Sequence, residues 1–112
     1  MNVRSRGLLR DMLDAAEALH DRYGSISDEM YLANMFDRWA VERGLEIIGE
    51  AARQLIDSDP EVGAAIPEMK GIIGTRNAIA HGYATVDHEI VLFIVREKLP
   101  ELIQLLRSML DQ

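Results

Sequence analysis

The chain has 112 residues, of which 48% are hydrophobic and 28% charged, and it contains no cysteine. This composition excludes a disordered or membrane-embedded chain, disulfides and thiolate zinc sites, and the length predicts one domain over residues 1–112. The formal net charge of -7 argues against broad, sequence-independent binding of nucleic acid, which depends on neutralising phosphates.

The N-terminal segment MNVRSRGLLRDML is charged throughout and lacks the apolar core and cleavage site of a signal peptide. No apolar run approaches the roughly 18 residues that cross a bilayer. We therefore expect a cytoplasmic protein with no membrane partner.

Apolar residues at helical spacing predict a first helix from about Val3 to about Arg22. Gly24 follows as a predicted left-handed helix stop. Ser27 is then the predicted N-cap of a short helical segment, SDEMYLA.

The longest predicted helix runs from about Asn34 to about Ile56, with its core row at Val41, Leu45, Ile48, Ala52 and Leu55. Glycine inside a helix costs roughly 0.5–1 kcal/mol relative to alanine. We therefore expect a neighbouring helix to approach closely at Gly44 and Gly49. Phe36 and Trp39 are interpreted as anchors in the core or in an interface.

The stretch DSDP breaks this helix, and a short turn, EVGAAI, leads to Pro67 as the first residue of a helix that ends at Gly82. Asp87 is the predicted N-cap of the last helix. Pro100 lies within the continuous apolar register of that helix, which predicts a kink. No strand-like alternation occurs, so the predicted fold is all-α, an up-and-down bundle of four to five helices with a kinked last helix.

The segment Thr75–Tyr83, TRNAIAHGY, contains residues suited to phosphoryl chemistry. The guanidinium of Arg76 offers fixed donors to phosphate oxygens, and an imidazole such as that of His81 exchanges protons near neutral pH. Asn77 can orient a neighbouring polar group, and Tyr83 can bind a phosphate or be modified. Cations near the end of a helix also suit its dipole, so the pattern alone leaves a structural role open.

Helix geometry constrains how Arg76 and His81 can act together. Residues five apart in an α-helix differ by about 140° in projection, so the two side chains would not face the same way. Either the helix unwinds at residues 80–82, or the site combines residues of two chains. We favour a composite site, because a two-fold dimer also brings two histidines for the roles of base and acid.

The octapeptide RNAIAHGY resembles the R-x(4)-H-x-Y signature of the HEPN superfamily, in its HepT-like branch of small toxins. Two further segments are similar to the same branch in the same order. They are AVERGLEIIGEAA, which contains the distinctive LEIIGEA, and HGYATVDHEIVLFIVREKLPEL with its proline. One departure is Ala84, where many relatives carry an aromatic residue.

The resemblance implies a helical-bundle homodimer, with higher hetero-assemblies possible, that cleaves RNA without a metal or cofactor. Arg76 and His81 would be catalytic at the dimer interface, Asn77 would support them, and the product would be a cyclic phosphate. The resemblance also implies a toxin of a type VII-like toxin–antitoxin system. Its MntA-like nucleotidyltransferase antitoxin would adenylylate Tyr83.

Two alternatives remain at this point. The first is a non-catalytic interaction module that binds a nucleotidyltransferase partner, which the acidic charge favours and the intact Arg-His-Tyr set disfavours. The second is a metal site at His81, Asp87 and His88. It is disfavoured because Asp87 is better explained as an N-cap, which would leave His88 in the first exposed turn of the last helix.

Overall fold

Helices dominate the computed structural model, which describes residues 1–82 and 86–112. They are α1 (Val3–Tyr23), α2 (Asp28–Ala33), α3 (Met35–Ser58), α4 (Pro60–Ala64), α5 (Met69–His81), α6 (His88–Phe93) and α7 (Leu99–Leu110). A π-helical turn, Ile94–Lys98, joins α6 to α7. These described residues contain no strand, so the predicted all-α fold is confirmed. None of the helices described combines the length and apolar character of a bilayer-spanning segment.

The core forms where the apolar stripes of the long helices meet. α1 packs against α3 and α7, and α5 packs against α3, while the short α2 and α4 also contact α3. Burying an aliphatic side chain contributes about 1.5–3 kcal/mol, so these stripes hold the bundle together. Among the most deeply buried side chains are Leu9, Met12, Ala16, Val41, Ala52, Leu55, Val95 and Leu106.

Polar caps begin several of the helices. The side chains of Ser27 and Asp87 accept hydrogen bonds from backbone N–H groups of α2 and α6, which confirms both predicted N-caps. Asn34 caps α3 rather than beginning it. The helix ends at Ser58 instead of Ile56, because Asp59 caps the next helix, α4, where the sequence predicted only a turn.

Two predictions, for the end of α1 and for the start of α5, need correction. Gly24 ends α1, but in a right-handed conformation (φ -60°). A Cβ at this position would lie 2.6 Å from the backbone oxygen of His20, so close packing explains the glycine. α5 begins at Met69, two residues after Pro67, because the N–H of Met69 donates to the carbonyl of Ile66 (3.2 Å) and closes a turn around the proline.

The last helix passes through Pro100 by changing its hydrogen bonding. Proline has no N–H, and its ring clashes with the carbonyl four residues before it. In the π-helical turn, the N–H of Leu99 donates to Ile94, five residues back. The expected kink therefore takes the form of a π-helical turn, and Val95 within the turn and Leu99 after it both stay buried.

Candidate active site

The motif segment lies on the second half of α5, which remains helical through His81. Arg76 is partly buried, whereas Asn77 and His81 are exposed. The sequence left open whether the helix unwinds at residues 80–82 or the site combines two chains. Residues 80 and 81 are still helical, so α5 does not unwind before Gly82. Tyr83, the predicted modification site, lies outside the described residues.

Gly49 brings α3 directly against the stem of Arg76. A Cβ built at Gly49 would lie 2.1 Å from Cβ of Arg76, 2.8 Å from its Cγ and 3.2 Å from the carbonyl oxygen of Ile72. A Cβ at Gly44 would similarly lie 2.6 Å from the side chain of Leu19. The predicted close approach at both glycines is confirmed, and at Gly49 it sets the position of a candidate catalytic residue.

The guanidinium of Arg76 has two polar neighbours. Its Nη1 donates to Oδ1 of Asn77 (3.0 Å), and its Nη2 lies 3.4 Å from Oε2 of Glu50 on α3. These contacts hold the guanidinium at the surface, and among the described residues its Nε–H group has no hydrogen-bond partner. The structure thus brings Arg76 and Asn77 together, and it adds Glu50 to the site.

Glu50 is held by neighbours on its own helix. Arg53 donates from Nη2 to Oε1 (2.7 Å) and from Nε to Oε2 (3.3 Å), and Gln54 donates to Oε1 (3.3 Å). The hydrogen bonds from Arg53 and then Gln54, with smaller contributions from the positive charges of Arg53 and Arg76, lower the pKa of Glu50 to about 2. The carboxylate is therefore ionised at neutral pH.

Sequence reasoning missed the contact between Glu50 and Arg76. The signal that could have revealed it is the adjacency of Glu50 to Gly49. Because Gly49 lets α5 approach α3 closely, the next residue of α3, Glu50, also lies close to α5.

His81 lies on another side of α5 from Arg76. It lines a cleft of about 380 Å³ between the end of α5 and the start of α6, together with Asn77, Gly82, Val86 and Asp87. Arg76 is absent from the lining of this cleft, and among the described residues no hydrogen bond or ion pair joins it to His81. The separation agrees with the 140° expected for residues five apart on a helix.

A larger apolar groove, of about 490 Å³, continues from this cleft between α5 and the last helix. The two depressions share Thr75, Ile90 and Ile94. His81 therefore lies at one end of a long depression, with exposed Ile90 and Phe93 along its apolar part.

The residues of the alternative metal site have other surroundings. Oδ1 of Asp87 accepts from the N–H groups of Glu89 (2.9 Å) and Ile90 (3.4 Å). His88 is half-buried, and its ring packs edge-on against Tyr31 with 5.8 Å between centroids. The expectation of an exposed His88 was wrong, because the first turn of α6 faces α2. Residues 1–82 and 86–112 include no group of three or more His, Asp or Glu arranged to hold a metal ion.

Phe36 and Trp39 lie outside the core of the protomer. Their side chains are 65% and 53% exposed and pack edge-to-face at 5.5 Å. The prediction of a core position is wrong because this face of α3 turns away from the row that contains Val41 and Leu45. The interface role that was also considered stays a prediction.

A model of the HepT-like ribonuclease family matches residues 12–109, which include α3, α5 and the whole motif segment. The chain belongs to the HepT-like ribonuclease family. No solved structure matches it significantly.

Curated relatives of this HepT-like chain match over most of their own lengths. A Methanocaldococcus jannaschii protein, provisionally named an RNase, is 32% identical over 97 residues, which cover 87% of this chain and 88% of the relative. A Caldanaerobacter subterraneus protein, also provisionally named an RNase, is 31% identical and covers 96% and 95%. A Thermococcus cleftensis protein, provisionally named ribonuclease HepT, is 30% identical and covers 91% and 92%.

Proposed function

We propose that this HepT-like protein is an RNA endonuclease in which Arg76 and His81 are catalytic. The main structural support is the position of Arg76. Its aliphatic stem packs against Gly49, and its guanidinium lies at the surface with N–H groups that can bind a phosphate. Asn77 supports the arginine through its side-chain oxygen. Membership of a ribonuclease family supports RNA as the substrate.

The reaction needs neither a metal nor a cofactor in this proposal. The ribose 2′-oxygen attacks the adjacent phosphorus and loses its proton to a histidine, while Arg76 holds the phosphoryl oxygens. The bond between phosphorus and the 5′-oxygen then breaks, and the departing oxygen takes a proton from a second histidine. The products are a 2′,3′-cyclic phosphate and a free 5′-hydroxyl.

A homodimer supplies the two histidines. Because α5 stays helical through His81, one protomer presents Arg76 and His81 on different sides of the helix. A second copy related by a two-fold axis brings another motif to the same site. The composite site therefore explains how two residues that do not converge in one chain act on one phosphate.

Substitution of Arg76 and His81 tests the assignment. We expect Arg76→Ala and His81→Ala to lower the rate of cleavage of a single-stranded RNA at least about 100-fold, because each removes a group that acts in the transition state. Lys70→Ala removes an exposed cation from the same helix and serves as the matched control. Equal cleavage by wild type, Arg76→Ala and His81→Ala would overturn the proposal.

We further propose that the protein is the toxin of a type VII-like toxin–antitoxin pair that an MntA-like nucleotidyltransferase silences at Tyr83. The tyrosine oxygen would attack the α-phosphate of ATP, forming a phosphodiester and releasing pyrophosphate. The chain has three tyrosines, and the other two, Tyr23 and Tyr31, are 5% and 0% exposed. Burial also raises the pKa of Tyr31 to about 12, which lowers the fraction of its hydroxyl that is ionised.

Mass spectrometry of the protein co-expressed with such a partner tests the modification. We expect a single adenylyl group on Tyr83 and none on a Tyr83→Phe variant. Modification confined to Tyr23 or Tyr31 would contradict the proposal while leaving the assignment of the nuclease untouched.

A non-catalytic module that binds a nucleotidyltransferase is the second candidate. The observation that favours it is the exposed Phe36–Trp39 pair on an otherwise acidic chain, since exposed aromatic residues are common in binding surfaces. Expression without a partner separates the two functions. A nuclease toxin arrests growth, and an interaction module does not.

A further inference from the structure

Glu50 is shared unequally between two arginines. Arg53 reaches both carboxylate oxygens, at 2.7 Å and 3.3 Å, whereas Arg76 makes a single contact at 3.4 Å. Gln54 adds a second donor to Oε1. The oxygen turned toward Arg76, Oε2, is therefore already engaged by Nε of Arg53.

We propose that Arg53 is a positioning residue that occupies Glu50 and so keeps Arg76 open toward the phosphate of the RNA. The proposal rests on the catalytic role proposed for Arg76. Arginine and carboxylate side chains form paired hydrogen bonds where geometry permits, and such a pair would use the donors that a phosphate requires. Arg53 makes that pair with Glu50, so Arg76 has only one long contact to this carboxylate.

The donors of Arg76 agree with this role. Among the described residues, Nη1 contacts Asn77 and Nη2 approaches Glu50, while no contact engages Nε. Nη1 and Nη2 are thereby anchored, and the other N–H groups, which have no partner among the described residues, can donate to two phosphoryl oxygens.

Arg53 is itself oriented from the opposite side. Its Nη1 donates to Oδ2 of Asp57 (3.1 Å), one helical turn further along α3. The planar guanidinium thus bridges Glu50 and Asp57, which presents Nε and Nη2 to Glu50 in the orientation observed. Asp57 is more exposed than Glu50, so solvent screens its charge more strongly.

Removal of Arg53 gives a specific outcome. We expect Arg53→Ala to lower kcat/KM for RNA cleavage about tenfold, the effect of one strong hydrogen bond made to a charged group, because Glu50 then pairs fully with Arg76. In a Glu50→Gln background, the same Arg53→Ala change should lower kcat/KM by less than about twofold, since a neutral amide does not sequester the guanidinium in this way.

The matched control is Arg43→Ala, which removes an exposed arginine from the same helix. It should change kcat/KM by less than about twofold, which separates the positioning role from a general loss of positive charge. Wild-type activity in Arg53→Ala, or an equal loss in Arg53→Ala and Arg43→Ala that Glu50→Gln does not rescue, would overturn the inference.

The two proposals fail in different ways. If Arg76→Ala cleaves RNA like the wild type, the catalytic assignment fails, and the role of Arg53 fails with it. If Arg76→Ala is inactive and Arg53→Ala is fully active, only the role of Arg53 is lost. Thermal unfolding of each variant before the assay identifies any loss of folded protein.

Discussion

The contact between Gly49 and Arg76 leaves no room for a side chain on α3. Gly49→Ala would place a methyl group 2.1 Å from Cβ of Arg76, so α5 must move away from α3. We expect a loss of about 1–3 kcal/mol in the free energy of unfolding, as for other overpacked sites, together with reduced RNA cleavage. Chemical denaturation and the cleavage assay measure the two effects.

Gly74 on α5 is the matched control, because a Cβ there would meet nothing within 4 Å. Gly74→Ala should raise the free energy of unfolding by up to about 1 kcal/mol through higher helix propensity, with cleavage unchanged. Equal stability of the Gly49→Ala and Gly74→Ala proteins would show that α3 and α5 do not approach as described.

Glu42 is a buried carboxyl group near Tyr31 and His88, and it is only 6% exposed. Desolvation raises its pKa above the ordinary value of 4.5, although the charges of His88 and Arg38 oppose the shift and Glu46 reinforces it. A folded-state pKa above the unfolded one means that ionisation destabilises the protein. The stabilisation that comes from protonated Glu42 is fully present below about pH 4.5, and it is lost as the pH rises through the pKa of Glu42 in the folded protein.

Glu42→Gln should therefore be more stable than the wild type at neutral pH, and the difference should vanish as the pH falls below about 4.5. Urea denaturation at several pH values checks this. The exposed Glu29→Gln serves as the control and should remain within about 0.5 kcal/mol of wild type throughout. A deficit in Glu42→Gln that grows with pH would mean that ionised Glu42 stabilises the fold.

The sequence indicated candidate residues for the site but not the contacts that they make. Arg76, Asn77 and His81 could be singled out because their functional groups suit phosphoryl transfer. The roles of Glu50 and His88 depend on which helix lies opposite, and periodicity in one segment does not specify that. The exposure of Phe36 and Trp39 was missed for the same reason.

Among the helices, α6 offers a clean test because Asp87 caps its first turn beside the cleft that contains His81. Asp87→Ala removes the oxygen that accepts from two backbone N–H groups, so we expect a loss of about 1 kcal/mol in the free energy of unfolding. Asp87→Asn keeps that oxygen and should lose only a few tenths of a kcal/mol. Thermal or urea denaturation compares the variants, and equal losses in both would argue against a capping role.

Most helices could be predicted because their signals are local. Apolar spacing and cap residues such as Ser27 and Asp87 indicated their approximate bounds. The start of α5 was less predictable, since a proline favours the first helical turn but also turns, and the hydrogen bond from Met69 to Ile66 selected the turn. The π-helical turn was hidden for a related reason, because an apolar register that continues through Pro100 does not reveal how the hydrogen bonds adapt.

For the molecule as a whole, the composite site predicts a specific response to mixed subunits. If one site needs both histidines, a dimer containing one His81→Ala chain is inactive. An equal mixture of wild-type and His81→Ala chains, co-expressed so that they pair at random, should then keep about a quarter of the wild-type activity. Sites formed within single chains would keep half, and that result would contradict the dimer proposal.

The π-helical turn at Ile94–Lys98 also has a consequence for how the last helix tolerates changes in length. It accommodates one residue more than an α-helix of the same rise would, and one residue corresponds to a rotation of about 100°. A single extra residue therefore fixes the rotation of α6 relative to α7. α6 lies beside the cleft of His81, and α7 packs against α1. Deleting one residue here would leave the other residues of the helix unchanged while rotating one half of its apolar face away from the core.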